Sequence, residues 1–508
     1  MSERRASTRP LTIPAIRLDE RLRQTAARLP TRPAVRCGDE LLTFAELDAA
    51  VTGLAATLRE RTGPGAVIGV ANVLDPCFAV AYYAVLRSGN TVAILNPLQS
   101  GQALAHMLDA AGIGLAFVTE DMRTRLMPAL PDAGAVRLMP VNAALDPTSI
   151  PADVPGARPA GAEPPACVLF TSGTTGLPKG VLLSHRNLVA NAAQIVRAHR
   201  LSPNSVAVNH LPSYHPMHLN SAVWAGAVQV LCTDPDPVVA TQIAADIEAT
   251  HYYSLPMRLA RLAADDRLRG LRLESVRTIL SGGSALAPQA ACALTDHFGV
   301  PVMQGYGLAE TSPLTHCDEP PWPCYGSVGP PVAATECRVV DVTTRAVLPA
   351  GERGEVQVRG PQIMLGYLDP DTPSPIDADG WLSTGDIGRV DPDGYLFLIN
   401  RLSDAFKYDD NLVTPAEIEQ VLAAHPAVAD CVVVDTPDPE HGAVANALVV
   451  PRGDELTEDD VAAYVNDRVP VFQRLARVVL TPSIPRGPGG KTRRGALREL
   501  LVGPTPTE

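Results

Sequence analysis

The stretch Cys167-Val-Leu-Phe-Thr-Ser-Gly-Thr-Thr-Gly-Leu-Pro-Lys-Gly-Val-Leu-Leu-Ser-His185 decides how the rest of the 508-residue chain reads. Its apolar run Val168 to Phe170 predicts a buried strand, which feeds a turn of glycines and hydroxyl residues before Val181 to Leu183 starts the next element. Such a turn suits a phosphate. Gly173, Gly176 and Gly180 lack a Cβ, so the backbone can come close to an anion, while Thr171, Ser172, Thr174 and Thr175 offer hydroxyls and Lys179 a positive charge. No Gly-Lys-Ser/Thr ends the loop and its lysine follows Pro178, so it is not a Walker A loop. A short glycine motif alone is more often a surface loop; Lys179 and the apolar strand in front favour a phosphate grip.

The run Thr171 to Gly180 resembles the signature loop of the adenylate-forming superfamily, which holds acyl- and aryl-CoA synthetases, adenylation domains of peptide synthetases and luciferases. The resemblance implies that the loop holds the β- and γ-phosphates of ATP. Further ordered motifs extend it from about Leu41 to Arg494.

Working outward, the bulk properties fit a large globular protein that is expected to be soluble. The length calls for two or more domains. A net charge of -13 with no dominant acidic or basic block argues against nucleic acid or an anionic membrane as the main partner. Nine scattered cysteines, an odd number without a Cys-x-x-Cys pair, fit reduced thiols and a cytoplasmic location. No apolar stretch follows the basic Met1 to Arg9, so neither a secretory signal nor a membrane span is expected, and the serine-free Val502 to Glu508 leaves no fused carrier domain.

Strand, helix and strand at Val67 to Ala71, Phe78 to Arg87 and Thr91 to Leu95 predict a parallel sheet with right-handed crossovers, and the unit recurs at Leu104 to Thr119. The expected fold is α/β. A large N-terminal domain, 1–400, combines layered parallel-sheet subdomains with a small barrel-like β-rich subdomain over 326–400. A small mobile α+β C-terminal domain, 401–508, follows.

Four more segments carry the resemblance. Arg277 to Ser284, with Gly282, Gly283 and Ser284 at its turn, would lie near adenine. In Val302 to Thr311, Tyr306 would stack on the purine, Gly305 and Gly307 would allow close approach, Thr311 would line the nucleotide, and Glu310 would hold Mg²⁺. Relatives usually carry threonine where Ala309 stands, and the lost hydroxyl removes a bond to the α-phosphate of about 0.5–1.5 kcal/mol. Thr384-Gly-Asp386 and Arg401 would hold the ribose, one carboxylate accepting from two vicinal hydroxyls. Ile484 to Arg494 would carry the catalytic Lys491 in a glycine-rich loop.

The chemistry implied joins a carboxylate to the α-phosphorus of ATP and expels pyrophosphate, so the site must neutralise charge and align two anions. Lys179 would take the leaving pyrophosphate, and Lys491 would bridge carboxylate and α-phosphate as a fixed cation. The C-terminal domain would then rotate about a hinge at Ser403, and a thiol of CoA or of a phosphopantetheine carrier protein would attack the acyl-adenylate. His215 matches a family histidine near the acyl pocket, and Gly282 and Gly305 would line that pocket; His218 stands where relatives usually have glycine. Lys407 and Asp410 fall on the acceptor path, and Asp410 replaces a usual glycine.

Two alternatives follow from these departures: release of the acyl group to an amine or another non-thiol acceptor, and a degenerate binding protein without turnover. An aryl or acyl acid of medium size is expected, in a monomer or homodimer.

Overall fold

A computed structural model describes residues 10–132, 134–151, 165–172, 178–319, 323–409, 411–453, 455–485, 494, 497–498 and 501. The chain divides into two compact units. The first comprises Met1–Cys337, Val358–Leu382 and Gly394–Leu396, the second Arg338–Gln357, Ser383–Asp393 and Phe397–Glu508.

Two sheets build the first unit. The seven-stranded sheet runs, in spatial order, Gly366–Tyr367, Pro178–Leu183, Cys167–Ser172, Thr91–Leu95, Val67–Ala71, Leu115–Val118, Arg137–Pro140. Its inner strands are parallel, and every residue of Thr91–Leu95 is buried, as a sheet covered on both faces requires. Helix Pro76–Arg87 starts with a proline in its first turn, is capped by Asp75 accepting from the Cys77 N–H, and buries nearly all of its length. Cys167–Ser172 and Pro178–Leu183 form an antiparallel hairpin, so the phosphate-grip loop joins two strands of one sheet.

The eight-stranded sheet runs Leu314–Cys317, Val302–Gly307, Thr278–Ser281, His251–Ser254, Val206–His210, Val228–Leu231, Pro33–Cys37, Glu40–Thr43, parallel except at its two edges. His210, Ser254, Ser281 and Gln304 stand in one row across the carboxyl ends of four adjacent parallel strands. In α/β sheets ligands gather at that end.

The second unit holds most of a four-stranded sheet, Glu336–Val340, Gly354–Arg359, Leu382–Val390, Leu396–Arg401, drawn from the Gly- and Pro-punctuated stretch. A five-stranded sheet follows, in which Gly442–Pro451 pairs with Val428–Asp438, Phe406–Tyr408 and Leu475–Leu480. Helices Pro415–Ala423 and Glu458–Asn466 pack on it through Ile418, Leu422, Val461 and Val465.

Among the described residues no helix is long and apolar enough to cross a membrane.

Candidate active site

The hairpin register sets Thr171 opposite Lys179, so a hydroxyl residue and a cation flank the mouth of the loop. Gly180 serves packing here. A Cβ on it would come within 2.9 Å of the Leu368 Cβ and 3.1 Å of a Val168 methyl, which argues for chain packing against it rather than an anion. Gly173, Thr174, Thr175 and Gly176, together with the Ser172 side chain, lie outside the described residues.

The strand Val302–Gly307 leads into the short turn Ala309–Thr311, which carries Glu310. Gly307 is obligatory, because a Cβ would meet the Pro313 carbonyl oxygen at 1.9 Å. Thr311 is fully buried, and its hydroxyl is spent within the turn: it accepts from the Leu308 N–H at 3.0 Å and donates to the carbonyl of Pro313. Tyr306 is buried with its ring 5.9 Å from that of His316. Gly283 has φ +90° with open space where a Cβ would point, and Ser284 is exposed beside it. Gly282 and Gly305 approach each other, a Cβ on Gly282 lying 3.6 Å from the Gly305 carbonyl oxygen.

Glu310 does not stand alone. The Tyr367 hydroxyl donates to its Oε1 at 3.1 Å, and the Tyr367 ring centroid lies 6.0 Å from the Lys179 ammonium. Burial first, then the neighbouring Glu310 charge, push the Tyr367 phenol well above its ordinary range, so it stays a donor. Tyr367 carries no signal in the sequence: Met364-Leu-Gly-Tyr367 holds no charge and no histidine, and only its pairing with Pro178–Leu183 brings it here. The Glu310 turn is backed by buried amides. Asn191 bridges both main-chain groups of Leu314, Gln194 donates to Gln362 at 3.1 Å, and Gln362 donates to Thr335 at 2.6 Å.

His215 caps helix Pro216–Ala225, its Nδ1 accepting from the Met217 N–H at 3.2 Å. Burial holds its pKa down to about 4, so the ring is neutral and carries its proton on Nε2. His218, one turn on, is buried edge-on to Tyr253 at 4.5 Å, and its Nδ1 has no hydrogen-bond partner among the described residues. Burial, then His215 and His199, press its pKa well below the ordinary value.

In the second unit Asp386 and Arg401 meet: the Arg401 Nε lies 2.8 Å from Asp386 Oδ1, and the carboxylate is buried while the guanidinium stays half-exposed. Gly385, at φ +70°, makes the turn in the backbone between Thr384 and Asp386. Ser403 lies exposed in the short turn Leu402–Asp404, and Lys407 is exposed on Phe406–Tyr408. Asp410 and Lys491 lie outside the described residues.

Among the described residues no three His, Cys, Asp or Glu side chains form a metal cage. A single carboxylate held by a phenol, beside a cation and a hydroxyl, fits a magnesium ion that arrives on ATP and keeps phosphate and water ligands.

This fold, with a carboxylate turn beside a hydroxyl- and lysine-bearing hairpin, defines an acid-activating ligase, and the chain belongs to the AMP-binding enzyme family. That family's model matches residues 22–368, and the AMP-binding enzyme C-terminal domain matches 417–491. The chain is 32% identical to 4-coumarate–CoA ligase 3 of Oryza sativa subsp. japonica, covering 94% of this chain and 91% of the relative. ATP-bound MatB from Rhodopseudomonas palustris superposes with a TM-score of 0.85 at 25% identity, over 96% of this chain and 99% of that one. The o-succinylbenzoate CoA synthetase MenE from Bacillus subtilis superposes with a TM-score of 0.81 at 25% identity, covering 94% of this chain. It has been seen with its acyl-adenylate, over 97% of that chain, and with ATP and magnesium ion, over 99%. The protein is an AMP-forming acid–thiol ligase that uses ATP and Mg²⁺, forms an acyl-adenylate and transfers the acyl group to CoA.

Proposed function

We propose that the acid is an aryl or arylacrylic carboxylate of medium size, and that Glu310, Lys179, Asp386, Arg401 and Lys491 carry the reaction. The observation that supports this best is the joint placement of Lys179 and Glu310 around Tyr367. Magnesium, which Glu310 would hold, would supply charge neutralisation. Lys179 and Thr171 then meet the pyrophosphate as it leaves, the Asp386–Arg401 pair presents an oriented carboxylate to the ribose diol, and Lys491 draws the two anions together.

The acid class is supported by the 4-coumarate–CoA ligase relatives, and by the ring contact of His218, one turn from His215, with Tyr253. Neutral His215 and His218 add no positive charge, so they favour an uncharged acid tail. The family boundary supports a catalytic domain to about residue 400 and a mobile C-terminal domain carrying Lys491. A cytoplasmic location and a carrier protein as a second thiol acceptor complete the proposal.

The test is pyrophosphate release with ATP and Mg²⁺ over a panel of cinnamic, benzoic, fatty and amino acids, with and without CoA, and mass spectrometry of the products. An aryl acid is expected to give the highest kcat/KM and an aryl-CoA product. Preference for a fatty or amino acid would overturn the acid class, and an adenylate that CoA leaves untouched would overturn the thiol acceptor.

A further inference from the structure

We propose that Tyr367 is a positioning residue of the adenylating site, one side chain that sets both the carboxylate of Glu310 and the ammonium of Lys179. This rests on the roles given to those two residues above. Three main-chain bonds place the tyrosine. The Met364 N–H donates to the carbonyl of Glu310 itself at 2.9 Å, the Leu365 N–H to Leu182 at 2.8 Å, and the Leu368 N–H to Gly180 at 2.8 Å. Residues 364–368 therefore lace the glutamate turn to the far strand of the phosphate-grip hairpin. Tyr367 sits opposite Val181, two residues along from Lys179, so its ring lies near the lysine and its hydroxyl reaches across to Glu310.

The chemistry of the contact is directional. A phenol that donates to Oε1 fixes the rotamer of a flexible glutamate and occupies one oxygen, so the other is presented in a single orientation. The ring face, negative in its quadrupole, favours the ammonium on its side without neutralising it, as an acidic residue would. An aspartate or glutamate at 367 would cancel the charge Lys179 needs for pyrophosphate; a phenylalanine would leave Glu310 free to turn.

The full chain tests this with Tyr367→Phe and Tyr367→Leu. Calorimetric titration with ATP, first without metal and then with Mg²⁺, needs no acid substrate. Tyr367→Phe is expected to bind metal-free ATP like the parent and to lose about tenfold in the Mg²⁺-dependent gain in affinity. Tyr367→Leu is expected to lose affinity for metal-free ATP as well.

In pyrophosphate release, Tyr367→Phe is expected to raise the half-saturating Mg²⁺ concentration about tenfold with the KM for the acid unchanged. Combining it with Glu310→Gln is expected to add no further loss, since both changes remove the same interaction. A parent-like Mg²⁺ gain in Tyr367→Phe at an unchanged melting temperature would overturn the proposal. Failure of every acid to release pyrophosphate from the parent would instead overturn the ligase activity, with the ATP titrations still deciding the role of Tyr367.

Discussion

Gly307 and Asp318 sit close along the chain and show how single residues are constrained in opposite ways. At Gly307 the constraint is steric, since any Cβ would drive into the Pro313 carbonyl. At Asp318 it is electrostatic. The carboxyl is 2% exposed beside a cavity of about 10 Å³ that Leu286, Val302 and Tyr325 help to line. Burial pushes its pKa up to about 7, although the N–H groups of Gln304 and Cys324 pull the other way. The unfolded chain releases this proton near pH 3.8 and the folded chain near 7, so between those values the folded state holds the extra proton. This residue's contribution to stability therefore falls as pH rises from about 4 to 7. Asp318→Asn is expected to be more stable than the parent at pH 8 by roughly 1–3 kcal/mol, the gain vanishing near pH 4. Urea unfolding at the two pH values checks it, and a variant less stable at pH 8 would sink it.

At the scale of elements, what could be read in the sequence was what local chemistry announces. The parallel strands at Val67–Ala71 and Thr91–Leu95 and the helix between them follow from apolar runs with turn residues at their ends. Asp386 and Arg401 were recognisable only through the family resemblance of the segments that carry them, and the structure brings them into contact. Tyr367 was not, because a two-residue strand has no periodicity and its partner lies far back in the chain. For the same reason Asn191, Gln194 and Gln362 read as ordinary polar residues until their elements pack. Gly180 has a packing reason that the sequence did not announce, since a neighbouring leucine claims the space a side chain would need. The amide network yields its own prediction. Gln362 is fully buried, and Gln362→Ala removes one acceptor from the Gln194 amide and one donor from the Thr335 hydroxyl, while Gln194 keeps Thr335 and the Ala333 carbonyl as partners, a cost of about 0.5–1.5 kcal/mol besides the lost packing. A lowered melting temperature with a raised KM for MgATP is expected, and an unchanged melting curve would refute it.

Across the whole molecule the distribution of histidines sets an acid limit. His185, His199, His210, His215, His218, His251 and His316 all lie in the first unit, and burial is the leading cause that lowers each pKa below 6.5, to about 4 for His210 and His215 and about 3 for His185, His199 and His316. The unfolded chain takes up these protons just below pH 6.5 while the folded chain refuses them. Stability is therefore lost as pH falls from about 6.5 toward 4, the five groups held at about 3 or 4 each removing at most about 1.4 kcal/mol per pH unit. Cooperative loss of near-ultraviolet dichroism between pH 6 and 4.5 is expected, with uptake of several protons measured by potentiometric titration. A native signal at pH 4 without proton uptake would exclude it.

The two-residue strand Gly366–Tyr367 also bears on how the chain is made. Its partner, Pro178–Leu183, leaves the ribosome about 180 residues earlier, so at roughly 5–20 residues per second its outer edge stays uncovered for about ten to forty seconds. Throughout that interval the nascent chain offers Val181, Leu182 and Leu183 on an open sheet edge, the kind of template on which other strands add. Chaperone demand during synthesis is then set by the time the ribosome takes to reach residue 368, and slow codons between the two strands would lengthen the hazard without changing one amino acid.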